Sequence, residues 1–254
     1  IKMTNTTQKF INKHYFKVLV IGTIFFAILF SLLQQANAAS PSSFSKAKKI
    51  MYQKIYFDNQ KTFYCGCDYS NRKVNLESCG YQVRKNKRRA SRTEAEHIVP
   101  AYYLAMLTPD GRACWKEGTR RKGTNGRKYC LKNNKQFKQA HNDLMNLVPA
   151  IGEVNGDRSN YRFAMIEGEP RNYGSCDVEI SRSGKRGSRR VEPAPQIRGD
   201  IARTYFYMAD KYGLNLSKQT KQLMQAWRKQ DPANVWEQER FERIKAIQGE
   251  YSEK

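Results

Sequence analysis

Negative charge is what this chain has least of. Asp and Glu number 23 against 46 Lys and Arg, a formal net charge of +23 over 254 residues. That imbalance excludes an acidic or cation-scavenging surface and points to a polyanionic partner, either nucleic acid or an anionic membrane. Histidine is scarcer still, with three residues, so an acid or base working near neutral pH has few candidates. No period of about 20–50 residues recurs, which sets aside solenoids and propellers. The longest apolar uncharged run, residues 18–33, is 16 residues, short of the ~20 needed to span a bilayer. A hydrophobic fraction of 39% supplies a real core and argues against wholesale disorder.

That apolar run belongs to the first 38 residues, which read as a secretory signal peptide. Lys2, Lys9, Lys13 and Lys17 precede it, and Ala36-Asn37-Ala38 follows with small residues at −3 and −1. Cleavage is expected before Ala39. The rival reading is an uncleaved membrane anchor. The segment holds four Lys and no acid, so 42 basic residues against 23 acidic ones stay with residues 39–254.

All six cysteines, Cys65, Cys67, Cys79, Cys114, Cys130 and Cys176, lie in that exported part. An even count in an oxidising compartment reads as three disulfides. Cys65-Gly66-Cys67 lacks a second close pair and a nearby His, which is weak for zinc. Cys114 and Cys130 bracket a basic, glycine-containing segment read as a loop, and are expected to pair. The other four allow three connectivities, among which spacing does not choose. Cys67–Cys79 with Cys65–Cys176 is the expectation.

The pattern predicts a single α+β domain with helices dominant. Residues 43–57 place Phe44, Ala47, Met51, Lys54 and Ile55 on one helical stripe, with Ser43 or Ser45 as cap. Residues 63–84 read as a stapled loop and hairpin, and 92–99 as a strand stopped by Pro100. Residues 144–148 are an apolar run stopped by Pro149, and 151–163 follow as a helix. Residues 182–195 read as an exposed basic loop. Helices are expected over 199–212, with Ile201, Tyr205, Met208 and Tyr212 in register, and over 216–227 and 236–247.

His14 lies within the signal segment, leaving His97 and His141. His97 follows Glu96 at the end of a predicted strand, where neighbours face opposite sides unless the strand ends and twists. Spacing alone fits a structural histidine equally well. Residues 152–160 gather oxygen ligands beside a helix, which suits Mg²⁺ or Ca²⁺ rather than zinc.

Three motifs carry a resemblance. Glu96-His97-Ile98-Val99-Pro100-Ala101, Asn142-Asp143-Leu144-Met145-Asn146-Leu147-Val148-Pro149 and Gly152-Glu153-Val154-Asn155-Gly156-Asp157-Arg158-Ser159-Asn160 resemble the bacterial endonuclease I family of periplasmic or secreted nucleases. So do Phe63-Tyr64-Cys65-Gly66-Cys67 and Ile201-Ala202-Arg203-Thr204-Tyr205-Phe206-Tyr207-Met208. The resemblance implies a ββα-metal (His-Me finger) site within the α+β domain, with His97 as general base and Glu96 and Asn155 holding one Mg²⁺, for which Mn²⁺ or Ca²⁺ are possible substitutes. It implies that Arg127 steadies the leaving group. It also implies a monomer acting on double- and single-stranded DNA, and on RNA, with little sequence preference and 5′-phosphate products. The family often has Glu where His141 stands, which puts His141 near the metal-bound waters. Gln238 occupies a position where relatives can carry a cysteine.

Other cations read as a population. Lys85, Lys87, Arg88, Arg89 and Arg92 form one dense run and are candidate DNA contacts. Arg182, Lys185, Arg186, Arg189 and Arg190 form another. Tyr102, Tyr103 and Tyr205 read as core. The competing functions are a non-catalytic nucleic-acid-binding protein and a cationic membrane-active protein, the latter lacking a long basic amphipathic helix.

Overall fold

The computed structural model describes residues 39–168, 171–181 and 188–249. The expected signal peptide lies outside them, as do Arg182, Lys185 and Arg186. From Ser40 onward the described residues form one compact unit, a single α+β domain dominated by helices.

The first helix, α1 (Phe44–Ile50), starts where the Ser43 hydroxyl accepts the Lys46 N–H at 3.2 Å, and runs on as a wider turn through Met51–Ile55. Ala47, Met51 and Ile55 are fully buried. Lys54, expected on the same stripe, is exposed, because the wider turn rotates the face away from 3.6-residue spacing. A short hairpin follows, β1 (Tyr69–Ser70) and β2 (Lys73–Val74). Its two turn residues, Asn71 and Arg72, have φ of 49° and 64°, the left-handed geometry that two-residue hairpins favour.

After the short helix α2 (Lys87–Ala90), strand β3 (Thr93–His97) pairs antiparallel with β4 (Leu147–Ile151), His97 opposite Leu147 and Glu96 opposite Val148. The apolar run does not stop at Pro149. The Pro149 carbonyl points away from β3 and accepts the Phe63 N–H at 2.8 Å. The nitrogen at that position also faces away from β3, so proline removes no ladder bond. Helix α7 (Gly152–Arg158) leaves β4 directly and packs back on both strands.

Between the two strands lie α3 (Ala101–Met106), α4 (Pro109–Arg120), α5 (Gly126–Asn133) and α6 (Lys135–Asn142). The segment from Cys114 to Cys130, expected as a loop, is thus the end of one helix and the start of another. Thr108 caps α4 ahead of Pro109, and Asn125 caps α5, both ordinary start signals. The two helices touch so closely at Gly118 that a β-carbon there would lie 2.5 Å from Tyr129 Cβ.

A three-stranded sheet follows in the order β5 (Arg162–Phe163), β7 (Arg190–Pro193), β6 (Val178–Ile180), with β5 and β7 parallel. Residues 190–193 are therefore a strand and not an exposed loop, with Val191 fully buried in the core. Helices α8 (Arg198–Tyr212), α9 (Lys218–Gln230) and α10 (Val235–Gln248) close the domain, with Ile201, Tyr205, Met208 and Tyr212 buried as the spacing predicts. The cysteines pair as Cys65–Cys176, Cys67–Cys79 and Cys114–Cys130. No described helix is long and apolar enough to cross a membrane.

Candidate active site

Strand β3 ends at a cavity of about 600 Å³, lined by Glu96, His97, Arg127, Asn155 and Arg158. Glu96 and His97 are sequence neighbours, yet both border it, because His97 is the last paired residue of the strand. Each is nearly fully buried.

The His97 Nε2 lies 2.8 Å from the His141 carbonyl oxygen. A carbonyl only accepts, so Nε2 carries the ring proton and Nδ1 keeps its lone pair. Burial first, then the neighbouring His141 ring and the charges of Arg127 and Arg158, hold the imidazole well below the usual histidine range. It is therefore neutral at physiological pH. Phe44 stacks on it at 5.2 Å with a 21° tilt, which fixes the ring plane.

Glu96 accepts the Tyr64 hydroxyl at 3.0 Å and pairs with Arg158 at 3.0 Å. Burial raises its pKa despite the Arg158 charge. Arg158, on the last turn of α7, also donates to the carbonyls of His97 (2.8 Å) and Ile98 (2.6 Å). It stitches helix to strand, and its role was not read from the sequence although it stands in the quoted motif. Asn155, one turn earlier, donates Nδ2 to Glu94 at 3.1 Å. Its amide oxygen accepts no hydrogen bond among the described residues. A carboxylate and an amide oxygen bordering one cavity fit a hard divalent ion completed by water. Among the described residues no group of three or more His, Cys, Asp or Glu is placed to hold a metal, so a zinc-type ligand set is not built.

Arg127, on the first turn of α5, donates Nε to His141 Nε2 at 2.9 Å and lies over the Phe44 ring at 5.8 Å. His141 therefore carries its proton on Nδ1, which donates to Asn142 Oδ1 at 3.2 Å. Asn142 in turn donates to the Pro41 carbonyl at 3.0 Å. Both ring nitrogens of His141 are engaged, so the expectation that it bonds a metal-bound water gives way to a contact with Arg127. Burial and the Arg127 charge push the His141 pKa down to about 4.

The basic run is largely spoken for. Arg89 and Arg92 both pair with Glu94, and Lys85 pairs with Asp157. A β-carbon at Gly156 would lie 2.0 Å from Arg89 Nη1, so the glycine admits the arginine that orders Glu94. Only Lys87 and Arg88 of that run are exposed without an ion pair. Arg189 donates to the Tyr161 hydroxyl at 2.8 Å and Arg190 lies in β7. Phe44, Lys48, Arg72 and Trp115 line the cavity without having been singled out for it. Phe44 carried a helical-stripe signal only, and Arg72 lies in the turn of a hairpin that was expected without its tip being located.

Comparison with known proteins gives the family of the chain. The family model described as Endonuclease I matches residues 32–252. A periplasmic deoxyribonuclease of Aeromonas hydrophila is 44% identical over 201 residues, 77% of this chain and 78% of that protein. An extracellular deoxyribonuclease of the same organism is 42% identical over 84% of this chain and 88% of its own length. The Endonuclease-1 of Buchnera aphidicola is 42% identical over 81% of this chain and 77% of its own. With the match running from before Ser40 to beyond α10, the chain belongs to the endonuclease I family.

Proposed function

We propose that this protein is an exported, monomeric, divalent-metal-dependent endonuclease that hydrolyses phosphodiester bonds of DNA, and of RNA, with little sequence preference. The observation that carries the proposal is the His97 imidazole, neutral, pinned through Nε2 and open at Nδ1. The names of its relatives, periplasmic and extracellular deoxyribonucleases, support DNA as substrate. They also support export, as do three disulfides. The Ala36-Asn37-Ala38 pattern supports removal of residues 1–38.

We read β3, β4 and α7 as a ββα-metal (His-Me finger) element. His97 Nδ1 accepts a proton from the water that attacks phosphorus. The bond to the 3′ oxygen breaks and that oxygen takes up a proton from solvent, leaving a 5′-phosphate and a 3′-hydroxyl. The terminal nitrogens of Arg127 make no hydrogen bond among the described residues, and a guanidinium so held grips two phosphate oxygens. When bound by Glu96 and Asn155, a divalent cation such as Mg²⁺, with Mn²⁺ or Ca²⁺ as substitutes, supplies positive charge against the phosphate and the leaving oxygen. Contacts to phosphate without base readout account for low sequence preference.

The test is incubation of the purified protein with plasmid and with RNA, with EDTA and after Mg²⁺ is restored. Cleavage that EDTA stops and Mg²⁺ restores is expected. Binding without cleavage under every metal condition would leave the non-catalytic reading instead.

A further inference from the structure

A second hollow of about 670 Å³ adjoins the catalytic cavity, with Tyr102 and Asn160 lining both. Its other polar walls are Tyr103, Tyr161, Arg112, Arg162 and Arg189. Its position follows from the chain path. Tyr102 and Tyr103 open α3 just after the His97 strand, and Tyr161 and Arg162 emerge from α7 just after Asn155. Tyr102 and Tyr103, expected in the core, are only half-buried.

The hollow has a specific chemistry. No Asp or Glu lines it, and none of the three arginines has an acidic partner among the described residues. The Arg162 guanidinium lies over the Tyr103 ring at 5.2 Å while its Nε donates to the hydroxyl at 3.1 Å. Arg189 lies over Tyr161 at 5.7 Å and donates Nη1 to that hydroxyl. Its Nε is buried without a partner. Tyr102 stands edge-on to Tyr103 at 5.2 Å and to Trp115 at 5.6 Å. The result is a set of braced flat plates, cationic and aromatic in alternation.

Cations alone would suit any polyanion. Plates interleaved with cations suit bases and phosphates together. A duplex hides its base faces in its own stack, so such a groove engages bases that are unpaired.

We propose that the Tyr–Arg groove is a subsite for unpaired nucleotides of the substrate strand flanking the scissile phosphate. The inference rests on the nuclease reading for the bond that is cut, but its binding claim can be read without turnover.

The experiment uses purified protein in EDTA and fluorescein-labelled oligothymidylates, a dinucleotide and an octanucleotide, followed by anisotropy. Wild type should bind the octanucleotide at least about 10-fold more tightly than the dinucleotide. The Tyr102→Leu/Tyr161→Leu double variant and the exposed-site variant Arg162→Gln should each forfeit most of that gain, with a smaller loss for a duplex octamer. Equal gains with length in wild type and variants would overturn the proposal, and so would an equal loss for duplex and single strand. If the double variant fails to fold, Arg162→Gln alone decides. Plasmid cleavage in Mg²⁺ is read in parallel. Its absence in wild type would remove the nuclease reading while the binding result stands.

Discussion

Arg127 and His141 are joined nitrogen to nitrogen, the arginine Nε donating to the imidazole Nε2 at 2.9 Å. A neutral ring thus does for the arginine what a carboxylate commonly does: it accepts one N–H and leaves the other guanidinium edge free. His141→Ala should therefore lower cleavage about 10–100-fold, the usual loss when a supporting partner goes. His141→Gln, which keeps an acceptor, should recover part of it. Steady-state kinetics on plasmid or oligonucleotide checks this, and a wild-type rate in His141→Ala would refute the contact's importance.

The same burial predicts an acid sensitivity of the fold. In the unfolded chain His141 takes a proton near pH ~6.5; in the folded protein it does so only at about 4. Between those values the unfolded state binds more protons, so stability falls as pH drops through that window and approaches a loss of about 3 kcal/mol below it. Denaturant unfolding of His141→Gln should show a shallower decline over the same range.

His97→Ala would remove the proposed base and leave the phosphate contacts. Cleavage should fall by about 10²–10⁴-fold or more, while DNA affinity in EDTA stays within a few-fold of wild type. A gel-shift assay beside a nicking assay separates the two, and retained activity would sink the assignment of His97.

Opening the Cys114–Cys130 bridge, by reductant or by a double Ser substitution, releases a 16-residue separation worth about 3 kcal/mol. The loss should appear first in activity, because α5 begins at Gly126 and carries Arg127 on its first turn. Unaltered turnover with both thiols titrated as free would count against the link.

Within the basic run, Arg88→Ala should reduce the slope of log affinity against log salt by about 1, the signature of one phosphate contact. Arg92→Ala should act differently, raising the Mg²⁺ requirement, because it loosens Glu94 and through it Asn155. Equal salt slopes for Arg88→Ala and wild type would remove Arg88 from the DNA contacts.

The candidate site residues came into view through the family resemblance and not through spacing, which fits a structural His97 equally well. Glu96, His97 and Asn155 stand in contiguous motifs, and α8 follows clean periodicity. What was illegible depended on partners far along the chain. Nothing near Asn155 announces that its amide will meet Glu94, 61 residues earlier, and nothing near His141 announces Arg127. Pro149 misleads because its tolerance depends on which edge of β4 its nitrogen faces. Val191 hides in a basic stretch because a four-residue strand, β7, is too short to establish a period.

The residues that follow the proposed cleavage point pack against the surroundings of the candidate site. Ser40 reaches Tyr212, Pro41 receives Asn142, and Phe44 backs both His97 and Arg127. For anyone preparing the enzyme, the amino end of the exported part is consequently a sensitive place. A purification handle or leftover vector sequence joined directly ahead of Ser40 would sit within a few residues of Phe44, which backs both His97 and Arg127. Batches trimmed unevenly at the amino end should differ in specific activity.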